Sequence, residues 1–152
     1  MIKNDEYFMN QALVEAHKAL LLDEVPVGAV IVKNDIIIAR GYNLREKNND
    51  PTAHAEIIAI RKACRKIGAW RLDGCRIYVT IEPCPMCAGA LLWTRIDAIV
   101  YGAKDPKGGA LGSSFNLFEQ KNLNHKPLIV GGVLNQECGH LVSDFFKAKR
   151  TH

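Results

Sequence analysis

The sequence lacks a long hydrophobic run and a secretion signal. No apolar stretch approaches the ~18 residues that are needed to cross a bilayer. The N-terminal segment MIKNDEYFMNQ has charged residues where a signal peptide has its apolar core. These absences predict a cytoplasmic protein with no membrane span.

The sequence also lacks the paired cysteines of a disulfide framework. Its cysteines number five, which is odd, in a chain of 152 residues that is neither small nor rich in cysteine. In that context a metal site or plain buried thiols are expected instead of disulfides. The cysteines are Cys64, Cys75, Cys84, Cys87 and Cys138.

No internal repeat, low-complexity segment or linker interrupts the chain. A length of 152 residues matches one domain and is short for two, so residues 1–152 are expected to form a single domain. The formal net charge of +4 permits a polyanionic partner but does not require one.

Apolar periodicity and turn residues predict alternating helices and strands. The predicted segments are a helix over 5–22, strands over 25–33 and 36–42, a helix from about 50–52 to 67, a strand over 76–81, a helix over 84–94, a strand over 96–103, a loop over 104–127, a strand over 127–134 and a helix over 136–150. This order predicts an α/β fold, a three-layer α/β/α sandwich around a five-stranded mixed sheet. Asn34-Asp35 is a hairpin signal that makes the first strand pair antiparallel, and the later βαβ crossovers favour parallel neighbours.

The segment DPTAHAEIIAI places His54 and Glu56 in an apolar run at the beginning of the second helix. Asp50 or Thr52 is expected to cap this helix, with Pro51 in its first turn. Polar side chains in such a place are costly to bury without partners. In the first turn of a helix, both side chains can reach a point just beyond the helix end.

The segment EPCPMC places Cys84 and Cys87 at the beginning of the third helix. Residues i and i+3 share a helix face, and the dipole at a helix N-terminus lowers the pKa of a thiol there. This geometry suits zinc. A C-x-x-C pair alone is equally compatible with a redox pair or with two buried thiols.

Together with His54, the two thiols predict a zinc site. One imidazole and two thiolates are three protein ligands, and they leave a fourth coordination position open, as in catalytic zinc sites. Glu56 is then a proton shuttle and not a ligand. The ordinary alternatives are a buried histidine with two core thiols, and a carboxylate that merely interacts with the helix dipole.

The motifs HAE and EPCPMC together match the H-x-E…P-C-x-x-C signature of the zinc-dependent nucleobase and nucleoside deaminases. Beyond this signature, VPVGAVIV, GYN, YGAKDPKGGALGS and SDFFKAKR resemble the tRNA-specific adenosine deaminases of bacteria, a branch of the cytidine and deoxycytidylate deaminase superfamily. The resemblance covers nearly the whole chain. It implies a cytidine deaminase-like fold with one Zn²⁺ per chain.

The resemblance implies hydrolytic deamination of adenosine to inosine at the wobble position of a tRNA anticodon. Glu56 would take a proton from water, pass it to a purine ring nitrogen and then protonate the amine, which leaves as ammonia. The Asn43 amide and the backbone N–H of Ala55 would bind the base. The implied partners are the tRNA anticodon stem-loop and a second copy of the chain, since AGALLWTRI is apolar enough to line a homodimer interface.

The resemblance also assigns residues outside the zinc motifs to RNA. Asp105 and Lys107, in the long loop, would contact the ribose and phosphates of the substrate nucleotide or its neighbour. Phe146, Lys149 and Arg150, on the last helix, would stack on bases and bind phosphates of the anticodon loop.

These residues also have ordinary alternatives. Asn and Asp are common in turns, Lys107 could be a solvated loop charge, and basic residues are favourable at a helix C-terminus. At least one of Phe145 and Phe146 is expected in the core. Cys64, Cys75 and Cys138 are expected to be structural thiols.

Two other functions are compatible with the same zinc ligands. One is a small-molecule guanine or cytosine deaminase, which would need neither the basic last helix nor a ribose-reading loop. The other is a non-catalytic RNA-binding module with a structural zinc. Such a site normally has four protein ligands, and no further cysteine has a neighbouring ligand at zinc-finger spacing.

Overall fold

The predicted order of helices and strands is confirmed by the computed structural model, which describes residues 3–150. Within these residues the elements are α1 (Asp5–Leu21), β1 (Gly28–Lys33), β2 (Ile36–Tyr42), α2 (Ala55–Ile67), β3 (Cys75–Ile81), α3 (Pro85–Thr94), β4 (Ala98–Ala103), a 3₁₀ turn (Leu117–Glu119), β5 (Leu128–Val130) and α4 (Asn135–Arg150). None of these helices is long and apolar enough to cross a membrane.

The strands form a mixed sheet in the order β2-β1-β3-β4-β5. β1 is antiparallel to both β2 and β3, while β3, β4 and β5 run parallel. The β1–β2 hairpin turns at Asn34 and Asp35, whose φ angles of 53° and 59° match a two-residue type I′ turn. Because β3 and β4 are parallel, their carboxyl ends lie at the same edge of the sheet, where open α/β sheets place their ligands.

The sheet is buried on both faces, which gives the predicted three layers. Successive side chains of a strand point to opposite faces: Ile77 and Val79 pack in a core with α2 and α3, whereas Tyr78 packs in a second core with α1 and Cys138 of α4. Helices α2 and α3 therefore cover one face, and helices α1 and α4 cover the other.

The predicted beginning of α2 is wrong by several residues. The helix begins at Ala55, and His54 occupies the N-cap position with extended backbone angles. The Asp50 carboxylate accepts hydrogen bonds from the backbone N–H and the hydroxyl of Thr52, at 2.9 and 2.7 Å. Asp50 and Thr52 thus form a separate turn before the helix, and neither of them caps it.

Three strands are shorter than predicted. One of them is β4, which begins at Ala98 and not at residue 96. β1 begins at Gly28, because a turn in which the Val27 N–H donates to the Val25 carbonyl at 2.9 Å precedes it. β5 covers only Leu128–Val130, because Gly132 has a φ of 90° and takes the chain out of the extended conformation.

Candidate active site

The N-termini of two helices converge at the carboxyl ends of β3 and β4. His54 is the N-cap residue of α2, and Cys84 is the N-cap residue of α3. Neither side chain caps its own helix with a hydrogen bond, although N-cap side chains commonly do so. The imidazole and the thiol are directed at each other instead, with a distance of 3.7 Å between His54 Nδ1 and Cys84 Sγ.

The donor atoms of three residues lie at distances that suit one zinc ion. His54 Nδ1 is 3.5 Å from Cys87 Sγ, and the donor atoms of His54, Cys84 and Cys87 all lie within 4.8 Å of one another. Zinc binds sulfur at about 2.3 Å and histidine nitrogen at about 2.0–2.1 Å, so tetrahedral ligands S and N are roughly 3.6 Å apart. The predicted ligands therefore come together in a geometry that fits the metal.

The chemistry of the donor set also suits a cation. A hydrogen bond from Cys87, and then one from His54, lowers the pKa of Cys84 to about 4. The pKa of Cys87 is raised, because it donates to Cys84 and because it is buried. Cys84 therefore loses its proton more readily than Cys87, and binding zinc would release the proton of Cys87 as well, since zinc takes thiolates. Within the described part of the chain, this group has three donors, and it does not include Cys64, Cys75 or Cys138.

Glu56 lies in the first turn of α2 and is only 4% exposed. Burial, assisted by the neighbouring Cys84 thiolate, raises the pKa of Glu56 to about 7. A carboxyl group with a pKa near neutrality can both accept and donate a proton at working pH. Glu56 lines the same cavity as His54 and Cys84, so the predicted shuttle faces the predicted ligands.

A cavity of about 820 Å³ opens above these residues. Its apolar walls include Val25, Val27, Ile81 and Ala103. The residues predicted to bind substrate that line it are Asn43, Ala55, Asp105, Lys107, Phe146 and Arg150. The structure thus brings together residues from the end of β2, from α2, from the long loop and from α4, which are far apart in the sequence.

Lys149 does not line this cavity. Its ammonium group bonds the Asp23 carboxylate at 2.5 Å and lies 5.4 Å from the centre of the Phe145 ring. The substrate contact predicted for Lys149 therefore has no support in the geometry. A partner 126 positions away could not be predicted from helical periodicity.

Asn43 and Asp105 are both partly engaged with the backbone. The Asn43 amide donates to the Val25 carbonyl at 3.2 Å and accepts from the Arg45 N–H at 3.1 Å. One Asp105 carboxylate oxygen accepts from the N–H groups of Lys107 and Gly108, each at 3.1 Å. Asn43 and Asp105 therefore do stabilise local turns, as the sequence allowed. Each side chain can still make further hydrogen bonds with a ligand in the cavity.

The two neighbouring phenylalanines of α4 have different environments. Phe145 is a core residue with 9% exposure, whereas Phe146 is 43% exposed and lines the cavity. This confirms the expectation that at least one of the pair is in the core, and it leaves Phe146 free to meet a ligand.

Three residues at the cavity, Arg45, Lys104 and Glu82, were missed by reasoning from sequence. Arg45 adds a cation to its rim. Glu82 is 3% exposed and precedes Pro83 and Cys84. Burial opposes its ionisation, but hydrogen bonds from Ser113, Leu111 and Asp105 hold the pKa of Glu82 below its ordinary value. The motif EPCPMC shows that Glu82 is a carboxylate at the end of a strand. Its hydrogen-bond donors, however, lie 23 to 31 positions later in the sequence.

Comparison with known families agrees with this geometry. Residues 2–103 match the family model described as the cytidine and deoxycytidylate deaminase zinc-binding region. The chain belongs to this deaminase family. Zinc is the metal of the family, and the His54, Cys84 and Cys87 group is the place in the described structure that fits it.

Particular relatives of the deaminase are close over most of its length. A tRNA-specific adenosine deaminase of Bacillus subtilis is 50% identical over 146 residues, which are 96% of this chain and 91% of the relative. A solved structure from a study of A-to-I editing by tRNA:A34 deaminases at the wobble position has a TM-score of 0.86 and 47% identity, covering 89% of this chain and 98% of that chain. A guanine deaminase structure from Bacillus subtilis has a lower TM-score of 0.66 and 35% identity, covering 99% and 96%.

Proposed function

We propose that this deaminase hydrolyses adenosine to inosine at the wobble position of a tRNA anticodon and releases ammonia. The observation that carries the proposal is the buried Glu56 carboxyl group beside the three metal donors, on a cavity with a cationic rim. The chain is 50% and 47% identical to tRNA-specific adenosine deaminases of two bacteria, and this similarity supports a tRNA substrate over a free base.

The chemistry needs a nucleophile and a group that moves protons. A zinc ion held by His54, Cys84 and Cys87 would make water acidic enough to supply the nucleophile near pH 7. Glu56 would accept a proton from the attacking water and deliver it to a ring nitrogen of adenine while oxygen adds to C6. Glu56 would then take the second proton, from the hydroxyl group now on C6, and deliver it to the exocyclic amine, so that the C6–N bond breaks, C6 becomes a carbonyl and ammonia leaves.

The floor of the cavity can hold a purine ring. The N–H of Ala55 lies in the first turn of α2, where backbone donors have no acceptor within the helix. The remaining donor and acceptor of the Asn43 amide supply the pairing that a base edge requires. The apolar side chains of Val27 and Ile81 keep bulk water away from the reacting atoms.

The rim of the cavity can hold RNA. Its cations, Arg45, Lys104, Lys107 and Arg150, suit the phosphates of an anticodon loop. Phe146 offers an exposed aromatic ring for stacking on a base. Asp105 can accept a hydrogen bond from a ribose 2′-hydroxyl, which would favour RNA over DNA.

We also propose that the deaminase is a cytoplasmic homodimer. All five cysteines are free thiols, which suits a reducing compartment. Trp93 on α3 is 68% exposed, in agreement with an apolar face for a second copy. Light scattering should give twice the chain mass for the wild type and a smaller mass for Trp93→Glu. A monomeric wild type would contradict the dimer.

The function is tested with an anticodon stem-loop that carries adenosine at the wobble position. Wild-type protein should produce inosine, detected by mass, and the Glu56→Ala variant should produce none while it keeps about one zinc per chain. Free adenosine and free guanine are run in parallel. Turnover of guanine with no reaction of the stem-loop would assign the chain to the small-molecule deaminases instead.

A further inference from the structure

The carboxylate of Glu82 is saturated with hydrogen bonds from one loop. One oxygen accepts from the N–H of Asp105 at 3.1 Å and from the hydroxyl of Ser113, and the other accepts from the N–H groups of Leu111 at 2.9 Å and Ser113 at 3.2 Å. A carboxylate has about four lone-pair sites. The bonds therefore use the full accepting capacity of Glu82.

The donors lie at both ends of the segment 105–113, which is the segment that brings Asp105 and Lys107 to the cavity. Three of the four donors are backbone or side-chain groups beyond position 110, and the other is the N–H of Asp105 itself. A single buried side chain thus closes this segment into a loop of fixed shape. We call residues 105–113 the substrate loop.

The substrate loop packs directly against Glu82. A Cβ atom built on Gly109 would lie 2.4 to 2.5 Å from the Glu82 carboxyl group, which is closer than real Cβ atoms come. Only glycine fits at this position while the carboxylate stays in place. Two backbone hydrogen bonds add to this packing. The Glu82 N–H donates to the Ala103 carbonyl, and the Ala110 N–H donates to the Pro83 carbonyl, both at 2.9 Å.

We propose that Glu82 is a positioning residue for the substrate. It holds the substrate loop against the segment that ends at the metal donor Cys84, so that Asp105 and Lys107 face a nucleotide whose base lies at Glu56. The inference rests on the proposed function, because it concerns the same cavity. It assigns to Glu82 an effect on substrate binding and not on the proton transfers.

The test is the Glu82→Gln variant, which keeps the shape of the side chain but replaces one accepting oxygen by an NH₂ donor. We expect about one zinc per chain, a KM for the anticodon stem-loop raised about tenfold, and a kcat within about threefold of wild type. Amide hydrogen exchange at Leu111 and Ser113 should become about tenfold faster or more.

The matched control is Glu15→Gln. Glu15 is equally buried, but its carboxylate bonds Lys18 and Arg40 and does not line the cavity. This variant should have a lower melting temperature with KM unchanged. If Glu82→Gln does not fold, Ser113→Ala, which removes only the hydroxyl donor, should raise KM in the same direction by about two- to threefold.

An unchanged KM together with unchanged exchange at Leu111 and Ser113 would overturn the proposal. A lower kcat with zinc lost would also overturn it, because Glu82 would then act on Cys84. If the wild type makes no inosine, the proposed function fails, whereas the hydrogen-exchange measurement still decides whether Glu82 fixes the loop.

Discussion

The metal corner and the rim of the cavity are built in different ways. The corner consists of His54, Glu56, Cys84 and Cys87, which sit at the first turns of two helices packed on a buried sheet. The rim includes Lys107 on a loop and Phe146 and Arg150 on α4, all of them exposed. The candidate metal donors and the proposed proton shuttle are held in place by the backbone at the beginning of two helices. The proposed substrate contacts are instead long or aromatic side chains at the surface.

Substitutions in the corner should therefore be more severe than substitutions at the rim. A donor or proton shuttle held by the backbone has no substitute nearby, so its loss should remove kcat. The rim has several cations, so the loss of one side chain there should raise KM and leave kcat nearly intact.

The largest effect is expected from removal of a metal donor. Cys87→Ala deletes a fully buried thiol, so zinc content should fall far below one per chain and inosine formation should become undetectable. The melting temperature should also fall, because metal binding stabilises the folded state. Zinc is measured by atomic emission on the dialysed protein. Full zinc content in the variant would remove Cys87 from the ligand set.

Replacement of the proton shuttle should be nearly as severe but leave the metal in place. Glu56→Gln keeps the shape of the side chain and cannot exchange protons, so kcat should fall about 10³-fold. Zinc content should stay the same, and the melting temperature should not fall, because a buried carboxyl with a pKa of about 7 is costly to ionise. A kcat within about tenfold of wild type would contradict the assignment of Glu56.

Truncation at the rim should affect binding more than chemistry. Phe146→Ala or Arg150→Ala should raise KM for the stem-loop about tenfold and change kcat less than about threefold. Arg150→Ala should in addition make binding less dependent on salt, since one phosphate contact is lost. Steady-state kinetics at two salt concentrations measure both effects. Equal losses of kcat in the rim and corner variants would abolish the distinction between the regions.

The smallest effect is expected at Lys149. Its exposed ion pair with Asp23 contributes little, so Lys149→Ala and Asp23→Asn should each change the melting temperature by about 2 °C or less and leave KM unchanged. Asparagine is chosen because Asp23 has a φ of 60°, which Asn tolerates better than Ala. The two variants control for each other. A raised KM in Lys149→Ala alone would show that Lys149 leaves Asp23 to bind RNA.

The corner could be predicted from sequence because its residues are close in the chain and their spacing has a physical meaning. His54 and Glu56 share a helix start, and Cys84 and Cys87 share the next one. Alternating apolar segments likewise predicted the order of elements and the layered sheet. The beginning of α2 was predicted wrongly because Asp50 accepts a hydrogen bond from Thr52 in a separate turn. This turn and a helix cap are both local structures that the same residues can form.

The rim could be predicted only in part, because its geometry depends on contacts between distant segments. Nothing near Lys149 in the sequence points to Asp23, and nothing near Glu82 points to Leu111 or Ser113. The difference between Phe145 and Phe146 follows from the orientation of α4 on the sheet, which helical periodicity alone does not give.

If the corner supplies the chemistry and the rim supplies recognition, rim substitutions should change the preference between two substrates that carry the same reacting base. We would measure kcat/KM for the wobble-adenosine stem-loop and for free adenosine, in the wild type and in a Phe146→Ala, Arg150→Ala double variant. We expect the wild type to prefer the stem-loop strongly and the variant to prefer it much less, with the slow rate on free adenosine unchanged. An equal loss on both substrates, or a wild type that prefers free adenosine, would contradict this expectation.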